Sequence, residues 1–194
     1  MNEPSALKQA LRARLRAELK AHRSPLVANA SVDLCARVQS SSAWRDAHSV
    51  LLFFPVPSEP DISQLLADAL ANGKLLALPR FNAAANAYEA VRVIDPVREL
   101  ATGPFQVREP VAACPVVALN RLDLALVPGL GFDARGHRLG RGKGHYDRLL
   151  AGFTGMKIGV AFDFQIVAEV PREPHDIALD AVVTPTRWLA AKAD

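Results

Sequence analysis

The chain has 194 residues, half of them hydrophobic and 22% charged, with 23 lysines and arginines against 20 aspartates and glutamates. That length and balance suit one domain with a real core and exclude a largely disordered chain. The longest uninterrupted apolar run, prolines included, is Pro110 to Leu119, ten residues, whereas a membrane-spanning helix needs about 20, and a net charge of +3 is too small to mark a nucleic-acid binder by itself.

Residues 5–22 are predicted helical, with Ser5 as the cap. Leu7, Leu11, Leu15 and Leu19 recur every four residues and make an apolar ridge. Lys8, Arg12, Arg16 and Lys20 follow the same spacing about 100° round the axis, which puts Lys8 and Arg12 on one face, near the edge of the buried stripe. A second helix is expected from Ala28 to Ser40. Ser49–Val56 is a predicted strand ended by Pro55 and Pro57, and Asp61–Asn72 a helix stopped by Gly73. Further strands are expected at Lys74–Pro79, Tyr88–Ile94, Leu122–Val127, Lys157–Phe162 and Ala181–Thr184, with a helix at Tyr146–Ala151. Residues 95–121, rich in proline, are expected to be irregular and to lie over a site. Strand and helix in alternation imply a single α/β domain over residues 1–194 with a mainly parallel sheet.

Cys35 and Cys114 form no CxxC pair and read as buried small hydrophobes in a reducing compartment. Trp44 and Trp188 read as packing residues. The N-terminus has no apolar signal core, and Glu3, Glu18 and Asp33 argue against an organellar presequence, so a cytoplasmic location is expected.

The chemistry is concentrated between Val127 and Arg148. Arg135, Arg138, Arg141, Lys143 and Arg148 fall within fourteen residues, and Gly140, Gly142 and Gly144 alternate with Arg141 and Lys143. The segment follows a predicted strand and precedes a predicted helix, the place where open α/β sheets bind ligands. Glycines there let backbone approach a ligand closely, and two cations beside a helix start favour an anion. The pattern is neither GxxxxGK[ST] nor GxGxxG, and a tight turn with solvated charges is the plain alternative. Asp147, just past the loop, suits either a phosphate-bound metal or simple helix-start electrostatics.

The run Pro128-Gly-Leu-Gly-Phe-Asp133, followed by Arg138-Leu-Gly-Arg-Gly-Lys-Gly-x-Tyr-Asp147, closely resembles the 5-formyltetrahydrofolate cyclo-ligases, or 5,10-methenyltetrahydrofolate synthetases. Lys8-x3-Arg12, Phe53-Phe54 with Glu59-Pro-Asp61, Leu78-Pro-Arg80, Gly103-x5-Glu109-Pro110 and His175-Asp176 with Asp180 are similar to the family's pattern too, so the likeness runs in order from residue 8 to about 184. It implies a three-layer α/β/α fold related to sugar-phosphate isomerases and CoA-transferases. It also implies conversion of 5-formyltetrahydrofolate to 5,10-methenyltetrahydrofolate with ATP as cosubstrate and Mg²⁺ as cofactor, releasing ADP and phosphate.

Carried onto this chain, the resemblance has Lys8, Arg12 and the segment Arg138, Leu139, Gly140, Arg141, Gly142, Lys143, Gly144, His145 and Tyr146 binding ATP. Phe54, Glu59, Arg141, Gly142, Lys143, Gly144 and His145 would meet the folate, Asp147 and Asp180 the metal, and Arg141 and Lys143 would serve the phosphoryl transfer. His145 departs from the family, which usually has tyrosine there. The partners implied are small molecules only, with a monomeric protein, no nucleic acid and no membrane. If Phe53 and Phe54 lie in a strand they face opposite ways, so at most one reaches ligand. His175-Asp176 reads as a structural pair. Two rival functions use the same basic loop: a sugar-phosphate isomerase without ATP turnover, and a nucleic-acid binder, for which the aromatic platform is thin.

Overall fold

The computed structural model describes residues 3–22 and 25–191, with side chains from residues 4–22 and 29–191. Its elements in chain order are α1 (Glu3–Ala21), α2 (Pro25–Ser40), α3 (Ser42–Asp46), β1 (Ser49–Leu51), α4 (Ser63–Ala71), β2 (Leu75–Asn82), β3 (Ala87–Val93), β4 (Leu100–Thr102) and β5 (Arg108–Pro110), then β6 (Leu124–Pro128), β7 (Gly131–Phe132), β8 (Arg138–Leu139), α5 (His145–Leu150), β9 (Met156–Val160), β10 (Ala181–Val183) and β11 (Trp188–Ala190). One seven-stranded sheet runs in the order β11-β10-β9-β6-β1-β2-β3. Its five inner strands are parallel, and the two edge strands, β11 and β3, are antiparallel to their neighbours.

Both faces of the sheet are buried, which is why its strands read as continuous apolar runs rather than alternating ones. Leu124 and Leu126 of β6 face a core shared with Leu34 and Val38 of α2, Trp44, and Leu65 and Leu66 of α4. Ala125 and Val127 face a second core with Phe132, Leu149, Leu150 and Phe153. The result is a three-layer α/β/α domain. Trp44 is nearly sequestered and its indole N–H donates to Asp68 at 2.8 Å. Cys35 and Cys114 are buried and free, and Trp188 packs half-buried against the first core.

Helix α1 departs from the simple ridge. Leu15 and Leu19 are buried, Leu11 is half-buried, and Leu7 is 53% exposed, so only the later turns pack, against Leu139 and Val170. Ser5 lies inside the helix and does not cap it. The first strand ends at Leu51, before Pro55 and Pro57, because a proline offers no N–H to a ladder. Within the segment expected to be irregular, β4 and β5 form a short hairpin, with Leu100 opposite Pro110. That hairpin lies over the site.

Candidate functional site

The chain order places the site. From β1 the chain moves to β2 on one side, and later to β6 on the other, so β1 and β6 flank the point where the winding direction reverses. The peptide beyond their carboxyl ends diverges there and leaves a crevice. A cavity of about 500 Å³ occupies it. Phe53, Phe54, Pro128 and Gly129 form its floor, the glycine loop with Arg138 and residues 145–147 one wall, and Pro79, Tyr88 and the β4–β5 hairpin the other.

The glycine loop needs its glycines. Gly142 has φ +107° and Gly144 φ +63°, conformations that side chains with a Cβ disfavour. Helix α5 beyond it is only six residues long. So short a helix contributes little dipole, and the loop's positive field comes from its side chains. Arg141 is half-exposed and its Nη2 donates to Glu59 Oε1 and Ser58 Oγ, both at 2.9 Å. Lys143 is exposed, its ammonium 4.0 Å from the centre of the Phe105 ring, and it has no carboxylate partner among the described residues. Arg138 is buried; its Nη2 donates to Asp147 Oδ1 at 2.8 Å, and its guanidinium lies 5.6 Å from the Tyr146 ring centre.

The opposite wall is aromatic. Phe81 of β2 is the cross-strand partner of Tyr88 of β3, and their rings meet edge to face at 5.8 Å, as do those of Phe81 and Phe105 at 4.9 Å. His145 joins this cluster, 5.3 Å from both Phe81 and Tyr88. Its Nδ1 accepts from Arg148 Nη2 at 2.8 Å. Since arginine only donates, the imidazole proton sits on Nε2. Burial, with Arg148 and Lys143 beside it, lowers the His145 pKa. Burial raises the Glu59 carboxyl despite its bond to Arg141, and pushes the Tyr88 phenol up to about 12. The cavity therefore brings cationic and aromatic side chains together, with Lys143 against Phe105 and Arg108 against Phe54.

Of the residues singled out from sequence, Phe54, Glu59, Asp147 and most of the glycine loop border the cavity, while Lys8, Arg12, Leu139, Gly142 and Asp180 lie outside its lining. Phe53 and Phe54 lie just past β1, outside any strand, and both border the cavity: Phe53 from within the core, Phe54 half-buried with Arg108 stacked on its ring at 5.0 Å. Lys8 does not reach the cavity. It is 4% exposed, and its ammonium donates to Glu173 at 2.7 Å and Asp176 at 2.6 Å. Arg12 and Arg16 grip the glycine loop from behind: Arg12 Nε donates to the Gly140 carbonyl at 3.0 Å and Arg16 Nη2 to that of Arg141 at 3.3 Å. Asp180 precedes β10, at the amino-terminal end of the parallel strands, and pairs with Lys157 at 3.2 Å. The cavity is at the other end of the sheet.

Phe81, Tyr88, Phe105 and the Glu173–His175–Asp176 cluster were not assigned to the site from sequence. For Phe81 and Tyr88 the available signal was an aromatic in each of two adjacent strands. Glu173, His175 and Asp176 offer ligand atoms within 4.8 Å of one another, and the next amide, Ile177 N–H, points at Asp147 Oδ1 at 3.5 Å.

The model of the 5-formyltetrahydrofolate cyclo-ligase family matches residues 4–185. The chain belongs to that family. A 5-formyltetrahydrofolate cyclo-ligase of Mycolicibacterium smegmatis is 37% identical over 153 residues, covering 74% of this chain and 76% of the relative. That of Escherichia coli K12 is 34% identical over 145 residues, covering 73% and 80%. The NMR structure of Aquifex aeolicus 5,10-methenyltetrahydrofolate synthetase superposes with a TM-score of 0.86 at 32% identity, over 97% of this chain and 94% of that one. The cyclo-ligase fold therefore extends through the whole described chain, and the protein is an enzyme of this family. No described helix is long and apolar enough to cross a membrane.

Proposed function

We propose that this enzyme closes 5-formyltetrahydrofolate to 5,10-methenyltetrahydrofolate at the expense of ATP. The observation that carries the reading is the pairing, in one cavity, of a cationic glycine loop with an aromatic lining that includes Phe54, Tyr88 and Phe105. A reduced pterin suits the aromatic lining and a triphosphate the loop. The isomerase reading leaves the aromatic lining without a use. The nucleic-acid reading fails to find an open basic stripe, because Arg135, Arg138 and Arg141 are each paired with a carboxylate.

The N5-formyl group is an amide whose resonance, with a rotation barrier of roughly 18–20 kcal/mol in peptides, makes its carbon a weak electrophile. Attack of the formyl oxygen on the γ-phosphorus breaks the β–γ bridge, releases ADP and turns that oxygen into part of a leaving group. N10 then adds to the carbon and gives up its proton to solvent, and the C–O bond breaks as phosphate departs. Phosphoryl transfer asks the protein chiefly for alignment and charge. Lys143 supplies a mobile point charge and Arg141 a fork held by Glu59. Arg12 and Arg16 fix the loop by holding the carbonyls of Gly140 and Arg141.

For magnesium the carboxylate of Asp147, which borders the cavity, suits a hard ion. Arg138 and the Ile177 amide bond to its Oδ1, so its Oδ2 would be the oxygen offered to the ion. When bound, the metal offsets phosphate charge. We leave Asp180 out, since Lys157 holds it at the far end of the sheet.

The test is absorbance during incubation with 5-formyltetrahydrofolate, Mg²⁺ and ATP. A long-wavelength methenyl band is expected with ATP and none without it. A band that forms equally without ATP, or no band while ATP still binds, would overturn the reading.

A further inference from the structure

Among the described residues, three buried side-chain polar atoms have no hydrogen-bond partner: Glu109 Oε1, Arg138 Nε and His145 Nε2. All three residues border the same cavity. A buried polar atom without a partner costs about 1–3 kcal/mol, so such atoms gather where a ligand completes them. Glu109 is the one whose role the chemistry above leaves open.

Its niche is built. Glu109 is 5% exposed. Its Oε2 accepts the Phe81 backbone N–H at 2.9 Å, which fixes the carboxyl and leaves Oε1 free. Gly103, across the β4–β5 hairpin, makes the room: a Cβ there would lie 2.6 Å from the Glu109 carboxyl carbon and 2.8 Å from Oε2. Glu59, the carboxylate that the family resemblance gives to the folate, is already committed, Oε1 to Arg141 at 2.9 Å and Oε2 to the Val56 amide at 3.3 Å.

We propose that Glu109 is a specificity residue of the folate site, its free Oε1 accepting a hydrogen bond from the N–H edge of the pterin. This rests on the folate reading above. The pterin's pyrimidine ring presents an amide N–H and an exocyclic amine side by side, donors that a fixed acceptor can tell from a ring bearing carbonyls there. Burial raises the Glu109 carboxyl despite the Phe81 amide and the charge of Arg80, and a donor arriving at Oε1 favours the ionised form again.

Glu109→Gln tests it sharply. The amide oxygen must face the Phe81 N–H, which turns an NH₂ toward the position of Oε1 and replaces an acceptor with a donor of the same size. Binding of 5-formyltetrahydrofolate, measured by titration calorimetry, is expected to weaken tenfold or more, with the KM for ATP and the melting temperature unchanged. Glu109→Asp, which keeps the acceptor but withdraws it by one methylene, should fall between the wild type and Glu109→Gln. Unchanged folate binding in Glu109→Gln would overturn the proposal, as would an aspartate variant weaker than the glutamine one, since packing would then matter more than the acceptor. A wild-type enzyme that binds no folate would overturn the functional reading itself, and this inference with it.

Discussion

Two lysines occupy opposite kinds of place in this molecule. Lys8 is buried at the junction of α1 with residues 173–176 and neutralised by two carboxylates. Lys143 stands exposed on the glycine loop, with an aromatic ring for company and no carboxylate among the described residues. Around Lys8 every charge is answered within the fold, and around Lys143 the positive field is left open. A cation meant for a phosphate has to be kept from internal partners, whereas one meant for the fold has to be given them. Arg141 sits between the extremes, paired with Glu59 yet half-exposed.

The contrast predicts opposite failures. Lys143→Ala should lower kcat/KM about 10²–10³-fold, the usual loss on removing one transition-state donor, while the melting temperature moves by less than about 2 °C, as befits an exposed charge. Steady-state kinetics beside a thermal melt will show whether the two effects separate. Lys8→Met should do the reverse, costing about 3 kcal/mol because it leaves two carboxylates unpaired in a largely buried place. Denaturant unfolding at pH 7 measures that cost, and a variant as stable as wild type would end the distinction.

The same junction should be legible in acid. Burial alone would raise Asp176, but the Lys8 ammonium and the Glu173 amide outweigh it and hold its carboxyl below the ordinary value of 3.8. A depressed folded pKa stabilises above the unfolded one and loses that stabilisation as pH falls through the folded one. Unfolding free energy should therefore decline below about pH 4, and the decline should be shallower in Lys8→Met. The smallest effect belongs to His145→Tyr. A phenol fits the ring cluster and still offers a donor, so turnover within about twofold of wild type is expected; a large loss would give the imidazole a role of its own, apart from Nε2–H donation.

Much of this was legible in one dimension, and the misses share a cause. The inner strands stand out because burial on both faces makes them apolar runs. β7 and β8 escaped because two residues each carry no periodicity, and β4 and β5 because three-residue strands beside Gly103 and Pro110 read as turns. The glycine loop was found from its composition alone. An i,i+4 basic ridge says nothing of the two carboxylates that meet Lys8 from residues 173 and 176. Asp180, the second metal candidate from sequence, pairs with Lys157, and only the fold shows that it and Asp147 lie at different ends of the sheet.

The grip of α1 on distant residues also sets when its junction can first form. Lys8 meets partners 165 and 168 residues further along the chain, and Arg12 a carbonyl 128 residues away. At a synthesis rate of about 5–20 residues per second, Lys8 is made roughly 8–34 s before its carboxylate partners. Through that interval Leu15 and Leu19 have no core to enter, and the glycine loop, once made, has nothing holding it fast from Lys8's side. The junction of α1 with residues 173–176 thus stays incomplete until that segment emerges, and a holdase that shelters α1 would have that interval in which to act.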